Sequence, residues 1–358
     1  MELRWSEEQL ELASMLGTLL TRQSDSAAVR RAVETPTGHD RALWTTLCEQ
    51  VGVAALMVPE EYDGAGFGFA EVAVVLEQLG RFLAPSPLLS VVLGTEALLL
   101  SGDDAACARL LPEVATGARL VSVAWEGVVG SPDSALGVRS ESGCLSGEVA
   151  HVLDGDIADT LLVVAATDDG PGLFEVAADA TGLTRQHTPT MDQALRMATL
   201  SLDGVEATRL GGDLTESLAR LHAVGAAAVA ALQVGVAQGA LDMTVAYSKE
   251  RVQFGRPIGS FQALKHRMAD MLVLVETARS AAMDAALTVA AGRHDVTRRT
   301  SVAKAWCSEA LDKVAAETIQ LHGGIAITWE HDAHLVFKRA QSLGQLFGQA
   351  HHHRATLV

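Results

Sequence analysis

The residues best equipped for chemistry fall in two short segments of the C-terminal third. In Tyr247-Ser248-Lys249-Glu250-Arg251-Val252-Gln253-Phe254-Gly255-Arg256-Pro257-Ile258-Gly259-Ser260-Phe261-Gln262, the Arg251 guanidinium stands close to two side-chain amides. In Gln320-Leu321-His322-Gly323-Gly324, an amide and an imidazole precede a glycine pair. A guanidinium binds anion oxygens through a two-pronged fork. A glycine pair lets backbone N–H groups approach a ligand with no Cβ in the way. Each feature also has a plainer reading. Arg251 could pair with Glu250 at the surface, and Gly323-Gly324 could close a helix.

The remaining reactive side chains point to little. Cys48, Cys107, Cys144 and Cys307 are far apart and form no CxxC pair, so they read as reduced, buried thiols with no zinc site or disulfide framework. His351-His352-His353 could hold a metal adventitiously but reads as an exposed tail. No metal site is expected.

At 358 residues the chain is long enough for two or three domains with sizeable cores. It is 49% hydrophobic, yet no stretch reads as apolar over the length that a bilayer requires. The run at 91–100 holds Gly94, Thr95 and Glu96 and reads as a buried helix. Met1-Glu2-Leu3-Arg4-Trp5 lacks a basic-then-apolar export pattern, which favours a cytoplasmic protein. The net charge of -17, without a basic block, argues against nucleic acid or an anionic membrane as a partner.

The elements that must position these residues come in three groups. Ser6-Glu7-Glu8-Gln9 resembles a capping box ahead of Leu10, Leu12, Met15 and Leu16, which recur at helical spacing. Residues 52–66 are a turn-rich break, after which helical patterning resumes at 70–83, stops at Pro85 and Pro87, and returns from Leu88. From about 120 to 209, short apolar runs alternate with Gly, Ser and Asp, as in Leu161-Leu162-Val163-Val164. This is the punctuation of strands and hairpins. From Leu214 onward the chain is helical and Ala-rich. Helices, then strands, then helices imply an α+β fold of separate layers rather than βαβ units. The boundaries read as a helical domain at 1–118, a β-barrel or sandwich domain at 119–210, and a four-helix bundle at 211–358, with the long helix at 219–249 packing against other subunits.

The stretch Arg251 to Gln262 closely resembles the arginine–glutamine signature of the acyl-CoA dehydrogenases, a family of flavoenzymes. Gln320-Leu321-His322-Gly323-Gly324 is similar to that family's Gln-x-x-Gly-Gly loop, and Val58-Pro59-Glu60-Glu61-Tyr62 with Gly64 and Gly66 to its N-terminal loop. Leu111-Pro112 resembles the turn leading into its β-domain. The helix–β–helix order is the family's as well, so the resemblance covers nearly the whole chain. It implies FAD as cofactor, an acyl-CoA as substrate and an electron-transferring flavoprotein as acceptor. It also implies that Arg251, Gln253, Phe254, Gln262, Gln320, His322, Gly323 and Gly324 hold the diphosphate and adenosine half of a neighbouring subunit's FAD.

Other positions depart from the family. Its first β-domain motif, Thr-Glu-Pro-x-Ala-Gly-Ser-Asp, reads Trp125-Glu126-Gly127-Val128-Val129-Gly130-Ser131-Pro132 here. In the second motif, the Trp that packs on the flavin ring is His151, and the Thr that hydrogen-bonds its reactive edge is Leu153. Removing the substrate α-proton needs a carboxylate. The family's usual places for that Glu are Phe347 and Gly225 in this chain, and neither is acidic. Glu330 reads better as a structural acid and His222 as a packed or solvated imidazole.

The residues thus imply no catalytic base of this chain's own. The resemblance is to the base-lacking subunit of actinobacterial heteromeric acyl-CoA dehydrogenases that act on steroid side chains. The composition, rich in Ala, Val and Arg and poor in Lys, suits a high-GC genome of that kind. In an α2β2 tetramer such a chain would lend its half-site to a catalytic partner that supplies the flavin-ring pocket and the Glu. Three other readings stay open: a self-sufficient dehydrogenase with an unrecognised base, a related flavin enzyme such as a monooxygenase or nitroalkane oxidase, and a non-catalytic scaffold that binds no flavin.

Overall fold

Ser6 opens the first helix with a reciprocal pair of hydrogen bonds. Its Oγ accepts from the Gln9 N–H at 3.2 Å, and its own N–H donates to the Gln9 side chain at 2.9 Å. The computed structural model describes residues 3–357. Six helices come first: α1 (Glu7–Gln23), α2 (Ser26–Val33), α3 (Arg41–Thr46), α4 (Phe69–Arg81), α5 (Leu88–Ser101) and α6 (Asp104–Ala115). The apolar stripe of α1 is only partly used, because Leu16 and Leu20 are buried while Leu10 and Met15 face outward. The 91–100 run lies within α5, which is buried almost throughout. Its Glu96 is neutralised by Arg220 from the C-terminal helices at 2.8 Å.

Eight strands follow: β1 (Val121–Ala124), β2 (Val138–Glu141), β3 (Cys144–Leu153), β4 (Thr160–Thr167), β5 (Gly170–Ala177), β6 (Leu183–Thr188), β7 (Met197–Glu206) and β8 (Thr208–Asp213). They form one mixed sheet in the order β6-β7-β3-β2-β4-β5-β8, with β1 added in parallel to β4. Strand β4 is covered on both faces. Leu161, Val163 and Ala165 enter the sheet's own core, while Leu162 and Val164 join the core shared with the helices. Burial on both sides accounts for an apolar run without alternation.

The C-terminal part begins with α7 (Thr215–Glu250) and continues through a tight ribbon of β9 (Val252–Gln253) and β10 (Arg256–Pro257). Then come α8 (Gln262–Ala290), α9 (Val296–His322), α10 (Ala333–Gln345) and α11 (Ala350–Ala355). At 36 residues, α7 is long and apolar enough to cross a membrane by length and composition, contrary to the sequence expectation. Yet 89% of its apolar window is buried inside the protein.

Close approach between α4 and α7 explains the small residues of α7. A Cβ on Gly235 would stand 1.8 Å from the Glu77 carbonyl oxygen, one on Gly239 2.3 Å from that of Arg81, and one on Gly80 2.3 Å from that of Leu232. The two backbones therefore touch where the glycines meet. Within the bundle, α7 and α8 run antiparallel, as do α8 and α9. The C-terminus of α7, the N-terminus of α8 and the C-terminus of α9 consequently share one end.

An ordinary Gly→Ala change inside a helix gains up to about 1 kcal/mol. Gly235→Ala is expected to do the opposite, lowering stability by roughly 1–3 kcal/mol through overpacking. Thermal melting of the variant checks the sign.

Candidate functional site

Seven of the eight residues expected to hold a cofactor lie at that shared end with their side chains or backbone exposed. Arg251 ends α7, and its N–H donates to the Tyr247 carbonyl at 2.9 Å. Its carbonyl accepts from the Ile258 N–H at 2.8 Å, which closes the turn. The guanidinium forms no ion pair or hydrogen bond among the described residues, Glu250 included. Gln253 and Phe254 occupy the β9–β10 ribbon. Phe254 has φ 53° and is 91% exposed, its ring edge-on to Phe261 at 6.1 Å. Gln262 is the first residue of α8, where the free N–H groups and helix dipole favour an anion. Gln320 lies on the last turn of α9, and Gly323 follows it at φ 66°. Space around Gly323 and Gly324 is open within 4 Å of where a Cβ would stand. The exposed Arg251 guanidinium with the amides of Gln253 and Gln320 can receive an anionic group, whereas the Gln262 amide lies 3.4 Å from His266 Nε2 and the Gly323 N–H donates to the Ile319 carbonyl.

His322 behaves differently. It is buried, and its ring stacks on Tyr247 with centroids 4.5 Å apart. Its Nδ1 lies 2.7 Å from the Thr318 carbonyl oxygen. Burial lowers its pKa. The imidazole is turned into the protein beneath the glycine pair.

The two expected base positions meet each other. Phe347 is fully buried, and a Cβ on Gly225 would stand 2.3 Å from its ring. The missing side chain of one position is the space filled by the other. His222, one turn before Gly225 on α7, stands edge-on to both Phe347 at 5.7 Å and Trp125 at 6.2 Å. Its Nε2 lies 3.2 Å from the Gly130 carbonyl oxygen, so that nitrogen carries a proton and cannot take one. Burial lowers its pKa.

This aromatic plug is held by a clamp. The Phe347 N–H donates to the Val128 carbonyl at 2.7 Å, and the His353 Nε2–H donates to the Phe347 carbonyl at 2.6 Å. His353 also meets Ser301 Oγ at 3.1 Å. Lys304 is fully buried and donates to the carbonyls of Gly344 and Gly348 and to Ser308 Oγ. It thereby satisfies carbonyls around the end of α10. Burial pushes its pKa down to about 7. The expected exposed tail is thus in part a buried anchor, although His351 and His352 do face solvent. Among the described residues no cluster of His, Cys, Asp or Glu suits a metal. Cys48, Cys107 and Cys307 are buried thiols, whereas Cys144 is only half-buried.

Glu330 is exposed on the turn before α10, and Phe347 lies beyond that helix's far end. Thirteen helical residues span about 20 Å, too far for proton transfer between those places. In the sheet, Leu153 is buried and paired with Met197. His151 sits exposed at a bulge between Val149 and Val152 with φ 59°. Neither offers what a Trp and a Thr would supply at those positions.

Residues 6–118 match the family description Acyl-CoA dehydrogenase, N-terminal domain, and residues 218–358 match Acyl-CoA dehydrogenase, C-terminal domain. The chain belongs to the acyl-CoA dehydrogenase family. Members of this family are FAD-dependent oxidoreductases. Acyl-CoA dehydrogenase IpdE2 of Mycolicibacterium smegmatis is 43% identical over 345 residues, covering 96% of this chain and 95% of that protein. The crystal structure of the ChsE4-ChsE5 complex from Mycobacterium tuberculosis is 30% identical with a TM-score of 0.89, covering 100% of this chain and 98% of the other. A variant of the Tcur3481-Tcur3483 steroid acyl-CoA dehydrogenase is 34% identical with a TM-score of 0.87, covering 98% and 96%.

Sequence reasoning missed Tyr247, Lys304 and the packing role of His353. Tyr247 stood in the quoted signature, but nothing in its type showed that it would contact His322, 75 residues later.

The clamp predicts a pH dependence. Burial pushes the His353 pKa down to about 4. The folded protein therefore resists a proton that the unfolded chain accepts near pH 6.5. This contribution is complete above that pH and is lost as pH falls toward 4. His353→Gln is expected to flatten the decline partly, because His222 and His322 shift in the same direction. Urea midpoints between pH 7 and pH 5 check it.

Proposed function

We propose that this chain is the non-catalytic subunit of a heteromeric acyl-CoA dehydrogenase. It lends the diphosphate–adenosine half of an FAD site to a catalytic partner, in an α2β2 assembly in the cytoplasm. The observation that carries this reading is the Phe347 ring in the space above Gly225, which fills both expected base positions with an apolar group and leaves no carboxylate at either. The opposite end of the bundle supports the other half of the reading. Arg251 is exposed and unpartnered there among the described residues, beside an almost bare Phe254 that a neighbouring surface would cover.

The residues fit one end of FAD and not the other. Arg251, Gln253, Phe254, Gln262, Gln320 and the open backbone of Gly323 and Gly324 suit a diphosphate and its adenosine, the Gly323 N–H itself being given to the Ile319 carbonyl. His322 would support them from behind. On this chain, Leu153 gives a flavin ring no donor, and His151 gives it no indole to lie against. FAD, when bound, supplies the acceptor for the hydride lost in α,β-desaturation of an acyl-CoA. In this reading the α-proton goes to a Glu of the partner. A steroid side-chain thioester suits the assembly, because a relative at 34% identity is described as a steroid enzyme and a related structure is a complex of two unlike chains. Family membership supports an electron-transferring flavoprotein as acceptor.

The isolated chain is expected to purify colourless and to turn over no acyl-CoA with added FAD and an artificial acceptor. Phe347→Glu alone is expected to restore nothing, since the ring positions stay deficient. In the mixed complex, Arg251→Ala removes a charge-assisted contact of roughly 1.5–3 kcal/mol, about ten- to a hundredfold in FAD affinity. Turnover by the lone chain, or a complex whose flavin ignores Arg251→Ala, contradicts the proposal.

A further inference from the structure

We propose that Tyr247 and His322 are positioning residues that hold the Arg251 turn and the Gly323-Gly324 loop in register without touching the ligand. This rests on the half-site reading above. The segments meant to meet the cofactor are exposed: residues 251–257 all face solvent, as do Gly323 and Gly324. They lie far apart in sequence, yet one diphosphate would have to be reached by both.

Tyr247 joins them through three contacts. Its carbonyl accepts the Arg251 N–H at 2.9 Å. Its hydroxyl donates to the carbonyl of His322, the residue before the glycine pair, at 3.4 Å. Its ring stacks on the His322 imidazole at 4.5 Å and 29°. A second ring braces the pair, because His331 lies 4.4 Å from His322 and 6.0 Å from Tyr247. The residue after it, Asp332, forms an ion pair with Arg30 of α2 at 2.6 Å. The same Arg30 donates to the His331 carbonyl at 3.4 Å. The half-site is thereby tied through the ring cluster to the N-terminal helices.

The state of His322 separates a positioning role from a ligand role. Its Nδ1–H is committed to the Thr318 carbonyl, which leaves Nε2 as the lone-pair nitrogen. That nitrogen is buried and has no hydrogen-bond partner among the described residues. A side chain that served an anion would present an N–H outward. This one presents its ring faces to other rings, so its shape and packing are what the site uses.

The test uses the complex formed with a co-expressed catalytic subunit and reads its affinity for added FAD. Tyr247→Ala and His322→Ala are each expected to weaken FAD binding about tenfold, by loosening a preorganised site. His322→Phe is expected to stay within about twofold of the parent, since a phenyl ring keeps the stacking area. On an Arg251→Ala background, Tyr247→Ala is expected to cost less than about threefold, because the two residues act through one turn. If His322→Phe binds as weakly as His322→Ala, the imidazole nitrogen is itself a ligand and the positioning role is overturned. Full additivity of Tyr247→Ala with Arg251→Ala overturns it too. A loss in Arg251→Ala beside unchanged binding in Tyr247→Ala overturns the positioning role alone. Unchanged FAD binding in Arg251→Ala overturns the half-site reading itself.

Discussion

The packing of the Phe347 ring against the bare backbone of Gly225 is the constraint from which the account follows. Protein interiors are filled to crystal-like density, so a ring in that space excludes anything else. A carboxylate at either position would have to displace the ring or stand buried without a partner, at a cost of several kcal/mol. The surroundings are built for the ring. His222 and Trp125 meet it or each other edge-on, as aromatic groups prefer. His353 and Lys304 hold the backbone that carries it. Four side chains from separate parts of the sequence thus support an apolar plug at the two expected base positions.

The other end of the bundle is built on the opposite plan. There the chain leaves charge and aromatic surface uncovered, while a half-buried cluster of rings, Tyr247, His322 and His331, packs beside the uncovered parts. The two ends are joined by α7, which contributes Gly225 near its start and Arg251 at its close. Its tight seating on α4 through Gly80, Gly235 and Gly239 fixes where α7 lies against the N-terminal helices. A shift of α7 would therefore disturb both ends at once.

Much of this was legible in the sequence because it depends on local pattern. The capping box at Ser6, the break at Pro85 and Pro87, the strand punctuation and the Ala-rich helices all rest on neighbours within a few residues. Short motifs drew attention to Arg251 and the Gly323-Gly324 loop, and the structure brings both, exposed, to one end of the bundle. What escaped depends on contacts between distant segments. Gly225 and Phe347 could each be seen to lack a carboxylate, but not to fill one another's space. His353 looked like part of a tail because nothing local showed Ser301 or the Phe347 carbonyl beside it. His322 was expected as a ligand from its motif, and its burial, its contact with the Thr318 carbonyl and its stacking on Tyr247 show the ring facing inward. The apolar length of α7 was underestimated because scattered polar residues interrupt it, though most of its surface is covered by other helices.

The central claim is that the two halves of the cofactor site lie on unlike chains, so flavin stoichiometry tests it most directly. The complex of this chain with its catalytic partner can be purified, its subunit ratio weighed by native mass spectrometry, and its flavin released and counted. The account predicts equal numbers of the two chains and about one FAD for every two chains. About one FAD for every chain, or a yellow homo-oligomer of this chain alone, would contradict it.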